Sequence, residues 1–147
     1  MTNTSPQVAP AAPTAVGLDV LFVDDDQDIA DLMTAFLRRS GYKAESATNG
    51  QAALKSLRGR EVTVIVTDIL MPEVDGYELI MKIKQMPRRP TIIATSGNAS
   101  SIGMDFLKSA RQLGADRVLP KPYLPTTLLT QVREILGPRT PPPPDEA

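Results

Sequence analysis

A chain of 147 residues with 41% hydrophobic and 22% charged side chains fits one globular domain of ordinary size. Its formal net charge of −1 gives no general pull toward nucleic acid or anionic membrane, and no apolar run is long enough to cross a bilayer. Cysteine and histidine are both absent, which excludes disulfides, thiolate catalysis, an imidazole base, a His-ligated metal and a phosphohistidine of the chain's own.

Any metal must therefore be held by oxygen, and a hard cation such as Mg2+ is the natural candidate. The N-terminus has no basic segment followed by an apolar one, so it does not read as a signal peptide, and the expected location is the cytoplasm. Residues 1–17, rich in Pro, Ala and Thr, and residues 138–147, a proline run with an acidic end, read as disordered tails around a domain at 18–137.

Within that domain strand and helix signals alternate. Asp19–Val23 is a buried-strand run. From Asp28 to Arg39 the apolar residues Ile29, Leu32, Met33, Phe36 and Leu37 recur at helical spacing, and Ser40-Gly41 ends the pattern. Tyr42–Ser46 is a polar strand candidate suited to a sheet edge. Asn49-Gly50 opens a short helix through Ala53, Leu54 and Leu57. Val62–Thr67 is an apolar β-branched run typical of a strand covered on both faces. A helix over Tyr77–Met86, a strand at Thr91–Thr95 after Pro90, a helix over Met104–Leu113, a short strand at Arg117–Leu119 and a helix over Thr126–Leu136 complete the series.

Five strands alternating with five helices predict an α/β fold, a doubly wound parallel sheet with helices on both faces. Sites in such sheets form beyond the carboxyl ends of the strands. Here the first strand is followed by Asp24, Asp25 and Asp26, the third by Asp68, the fourth by Thr95 and Ser96, and the fifth by Lys121. Each has an ordinary reading. The aspartate run caps the next helix, with Asp26 the best placed to do so. Asp68 is a turn residue before Pro72, Ser96-Gly97 is loop chemistry and Lys121 is a solvated charge. Their joint placement after four of the five strands argues for convergence instead.

Phosphoryl transfer to a carboxylate fits such a cluster. A divalent cation screens the acids, one carboxylate attacks phosphorus, and an ammonium and a hydroxyl meet the phosphoryl oxygens.

The segments VDDD, VTDILMPEVDG, IIATSG and GADRVLPKPY, in that order over about residues 18–137, resemble the receiver domain of two-component response regulators, of the single-domain chemotaxis type. The resemblance implies a flavodoxin-like fold with strand order 2-1-3-4-5. It implies Asp68 as phosphoacceptor, Ser96 rather than Thr95 as the hydroxyl, and Lys121 as the lysine. It implies Mg2+ held by Asp24, Asp25, Asp68 and the backbone carbonyl of Leu70, with Asp25 the more direct ligand of the acidic pair. It also implies a cis Lys121–Pro122 bond, and Gly76 after Asp75 suits the loop beyond the acceptor strand. The implied partners are a histidine kinase or histidine phosphotransferase, docking on the first helix and the loop at Pro122 and Tyr123, and a downstream protein target. Such a switch catalyses only its own phosphorylation and dephosphorylation. No helix-turn-helix segment or basic face remains outside the receiver, so this chain alone is expected not to bind DNA, and it reads as a stand-alone receiver.

Three departures fall on the output side. Val118 stands where the family often has Tyr or Phe, the stretch between Ser96 and Lys121 is longer than usual, and Pro120 precedes the lysine. Leu70 and Asn98 match positions that tune acyl-phosphate lifetime in the family. Leu70 cannot orient an attacking water whereas Asn98 can, which implies a phosphoryl lifetime longer than in receivers with polar groups at both places.

Other readings fare worse. A haloacid-dehalogenase-type enzyme needs Asp-x-Asp-x-Thr/Val, but Asp24-x-Asp26 is followed by Asp28. An EF-hand starting at Asp24 needs Gly at 29 and Glu at 35, which are Ile29 and Ala35. A receiver-like interaction module that signals without phosphorylation remains the alternative.

Overall fold

The apolar β-branched runs become the middle of a single parallel sheet. The structure, a computed structural model, describes residues 17–69, 76–96 and 108–141. In chain order the elements are β1 (Leu18–Val23), α1 (Gln27–Arg39), β2 (Ala44–Ala47), α2 (Gly50–Gly59), β3 (Val62–Asp68), α3 (Gly76–Lys84), β4 (Thr91–Ser96), a helical segment α4 at 108–113, β5 (Arg117–Pro120) and α5 (Pro125–Leu136). The strands lie in the order β2-β1-β3-β4-β5, and every neighbouring pair is parallel. This is the order 2-1-3-4-5 with helices on both faces. Among the described residues no helix is long and apolar enough to cross a membrane.

Strand side chains alternate between faces with period two. Leu21 and Val23 of β1 join Ile65 of β3 and Ile92 of β4 under α2 and α3, where Ala53, Leu54, Leu79, Ile80 and Ile83 meet them. Val20 and Phe22 join Val64, Val66 and Ile93 on the other face, covered by Ala30, Met33 and Leu37 of α1 and Leu128 and Val132 of α5. Both faces are therefore closed, which is why these strands read as continuous apolar runs rather than alternating ones. The edges, β2 and β5, are only four residues long, a length that limits pairing with other chains.

Several boundaries differ from the sequence reading. The second strand starts at Ala44, not Tyr42, because Gly41 adopts φ of 99° and turns the chain before it can extend. Tyr42 is buried in that turn. The third helix ends at Lys84, and Gln85 and Met86 continue as tight i→i−3 turns on the carbonyls of Lys82 and Ile83. On α1 the buried residues are Ala30, Met33, Thr34 and Leu37, whereas Leu32 is 53% exposed. The part of the fourth helix expected over 104–107 lies outside the described residues.

Candidate functional site

The run of three aspartates resolves into three different roles set by local geometry. Asp24 follows β1 and points inward, 1% exposed, with Oδ1 accepting from the Asp26 amide at 2.9 Å. Asp25 is exposed. Asp26 is the N-cap of α1: its Oδ1 accepts from the amides of Asp28 at 3.0 Å and Ile29 at 3.2 Å. The cap satisfies helix donors that would otherwise lack a partner. The ordinary reading of the aspartate run is thus true of Asp26 and not of its two neighbours.

β3 runs one residue further than expected and places Asp68 at its carboxyl end, 5% exposed and beside Thr95 in the β3–β4 ladder. Ser96 ends β4 fully buried, and its carbonyl accepts from the Lys121 amide at 2.9 Å. That bond ties the Lys121 loop to the end of β4. Lys121 follows β5 and precedes a cis bond to Pro122, as the resemblance implied.

The strand ends therefore converge. Lys121 Nζ donates to Asp24 Oδ2 at 2.6 Å and to Asp68 Oδ2 at 3.1 Å. Carboxylate oxygens of Asp24, Asp25 and Asp68 all lie within 4.8 Å of one another. Two carboxylates at such a spacing repel by about 4 kcal/mol at an effective dielectric near 20, and the shared ammonium offsets that repulsion. Burial works against the Lys121 charge, but the Asp24 hydrogen bond and the charges of Asp68 and Asp24 outweigh it and hold the ammonium pKa above its ordinary value. The fourth metal ligand expected from sequence, the carbonyl of Leu70, lies outside the described residues, as do Asp75, Gly97 and Asn98.

Tyr123 is a neighbour that the sequence reading placed only in a docking loop. Its ring packs against the α1–α5 core, and its hydroxyl is sealed from solvent without a hydrogen-bond partner among the described residues. Burial, then the charges of Asp24 and Asp68, push its phenol pKa up. The signal in the sequence was its place two residues after Lys121.

A groove of about 1340 Å3 lies elsewhere. It is lined by Leu54, Leu57, Val62, Met86 and Pro90 at the amino ends of β3 and β4, and the carboxylate of Glu61 in its lining is paired with Arg88. The titratable groups meet instead at the acidic rim.

Three all-oxygen donors on a shared rim fit a hard divalent cation, since carboxylates suit Mg2+, Ca2+ or Mn2+. Fold and site together define a doubly wound parallel domain whose carboxyl edge gathers an aspartate cluster and one lysine. Comparison with known proteins gives the family. The family model described as "Response regulator receiver domain" matches residues 20–133, and the chain belongs to that family.

Response regulator SaeR of Staphylococcus aureus is 32% identical over 117 residues, covering 80% of this chain and 50% of that protein. The chain thus spans about half the length of the curated relatives it matches. Among solved structures, Vibrio cholerae chemotaxis protein CheY4 is 27% identical with a TM-score of 0.73, covering 82% of this chain and 100% of that one. The receiver domain of NtrX from Brucella abortus is also 27% identical with a TM-score of 0.73, covering 80% and 98%. A CheY-like receiver domain protein from Methanospirillum hungatei is 29% identical with a TM-score of 0.69, covering 81% and 93%.

Proposed function

We propose that this receiver accepts a phosphoryl group on Asp68 from a phosphohistidine donor, either a histidine kinase or a histidine phosphotransferase, and signals through phosphorylation-dependent contact with a downstream protein. Its catalysis is limited to its own phosphorylation and dephosphorylation. The observation that carries the reading is the bridge from Lys121 to both Asp24 and Asp68.

An Asp68 carboxylate oxygen attacks phosphorus, the phosphorus–nitrogen bond to the donor imidazole breaks, and an acyl phosphate forms on Asp68. Lys121 Nζ, 3.1 Å from Asp68 Oδ2, is within reach of an oxygen on a phosphoryl group joined there. Its ammonium meets charge that spreads over those oxygens in the transition state. Ser96, ending the adjacent strand, is the hydroxyl assigned to another of them. Asp24, Asp25, Asp68 and the carbonyl of Leu70 are the residues assigned to Mg2+, which supplies charge neutralisation between the acids and the phosphoryl oxygens when bound.

Docking of the donor on α1 and the loop after Lys121 is supported by two large apolar side chains left outside, Leu32 at 53% and Leu124 at 67% exposure. The test is phosphotransfer from a purified, labelled phosphohistidine protein in the presence of Mg2+. Label should move to this chain as an alkali-labile acyl phosphate and should not move to Asp68→Asn. Failure of every kinase and phosphotransferase in a broad panel to donate would favour the phosphorylation-independent interaction module.

A further inference from the structure

The chain beyond α5 does not leave the domain at the end of that helix. Gly137 turns it with φ of 85°, and Arg139 and Thr140 lie against Gly41 at the corner between α1 and β2. Four contacts hold residues 137–140. Tyr42 Oη donates to the Gly137 carbonyl at 2.6 Å. Arg139 Nη1 and Nη2 donate to Asp19 Oδ2 at 2.8 Å and Oδ1 at 3.1 Å, a two-point fork. The same guanidinium lies 5.2 Å from the centre of the Tyr42 ring, within cation–π range. Thr140 crosses Gly41 so closely that a Cβ there would lie 2.6 Å from its carbonyl oxygen.

The receiving corner is itself fixed. Asp19 Oδ2 also accepts from the Lys43 amide at 2.8 Å, so one carboxylate holds both the start of β2 and the returning arginine. The Asp19 side chain is 14% exposed and that of Arg139 35%, which sets this pair apart from a solvated surface ion pair. Asp19 lies before the first residue of the family match and Arg139 after the last, so the ion pair is outside what the family model describes.

We propose that residues 137–140 form a docked clasp that ties the end of α5 to the end of α1. Asp19 stands at the amino end of β1, and Gly41 follows the carboxyl end of α1. Both lie at the rim opposite Asp68, because helices in a parallel α/β sheet run back against the strands. The clasp therefore holds residues 137–140 at the amino rim, away from the acidic site, and it joins the helix proposed to receive the donor to α5. It does not rest on phosphorylation of Asp68.

The absence of cysteine allows a single spin label at Pro141→Cys on the full chain. Amide signals of Gly41, Tyr42 and Lys43 should broaden most strongly, and the added substitution Arg139→Ala should weaken that broadening while the other signals keep the folded pattern. Tryptic cleavage after Arg139 supplies a second readout. It should be about fivefold faster in Tyr42→Phe than in the natural chain, the factor one net hydrogen bond sets on a local opening equilibrium. Unbroadened Gly41–Lys43 signals, broadening whose strength Arg139→Ala leaves unchanged, or equal cleavage rates in the two chains would each overturn the clasp.

Discussion

Lys121 and Asp24 stand 97 positions apart in the chain, yet their side chains meet at 2.6 Å in the interior of the rim. Neither β1 nor β5 brings this about alone. β5 lies at the sheet edge and reaches the centre only through the loop that the Ser96 carbonyl pins.

Removing the ammonium leaves two buried carboxylates facing each other. Lys121→Met should destabilise the domain by about 3 kcal/mol at neutral pH, the range for an uncompensated buried charge, and added Mg2+ should restore much of it. Urea unfolding with and without Mg2+ measures both. The raised Lys121 pKa fixes the pH dependence. Its contribution is fully present below the ordinary value of 10.5 and is lost as pH rises through the higher folded-state value.

Asp25 and Asp26 should separate cleanly despite being adjacent. Asp25→Asn removes an exposed carboxylate of the cluster, so calorimetry should show Mg2+ binding weakened about tenfold or more, with unfolding in chelator unchanged. Asp26→Ala removes the α1 cap and should cost about 1 kcal/mol of stability with Mg2+ affinity nearly intact.

Asp116 predicts an acid-side effect. It accepts from Arg89 at 3.1 and 3.3 Å and from the Ile92 amide at 2.8 Å, so it anchors the start of β4. Burial opposes its charge, but the Arg89 hydrogen bond, the Ile92 amide and the charges of Arg89 and Lys84 outweigh that and lower its pKa. The stability it gives is present above 3.8 and is lost as pH falls through the lower folded value. Asp116→Asn should cost about 1 kcal/mol at pH 7, discounted for partial exposure, and the difference from the natural chain should shrink as pH drops below 3.8. Thermal melts across that range test it.

Much of this was legible in the sequence. The runs 62–67 and 91–95 read as buried strands because both faces of the sheet are covered, and the polar residues that end the runs mark the rim. The outward turn of Leu32 was not legible. Five apolar residues on α1 make a stripe wider than the sheet and α5 cover, and Ala30 and Thr34, small enough for close approach, take the inner positions. Tyr42 looked like a strand residue because aromatics favour strands, but Gly41 and the returning Gly137 carbonyl place it in a turn. Nor could a pattern show that one lysine bridges Asp24 and Asp68 directly, since that depends on how the β5 loop crosses to the centre.

The most direct measurement is intact mass after incubation with Mg2+ and a small-molecule phosphodonor. The natural chain should gain one phosphoryl group and Asp68→Asn none. No gain by either, or equal gain by both, would contradict Asp68 as the phosphoacceptor.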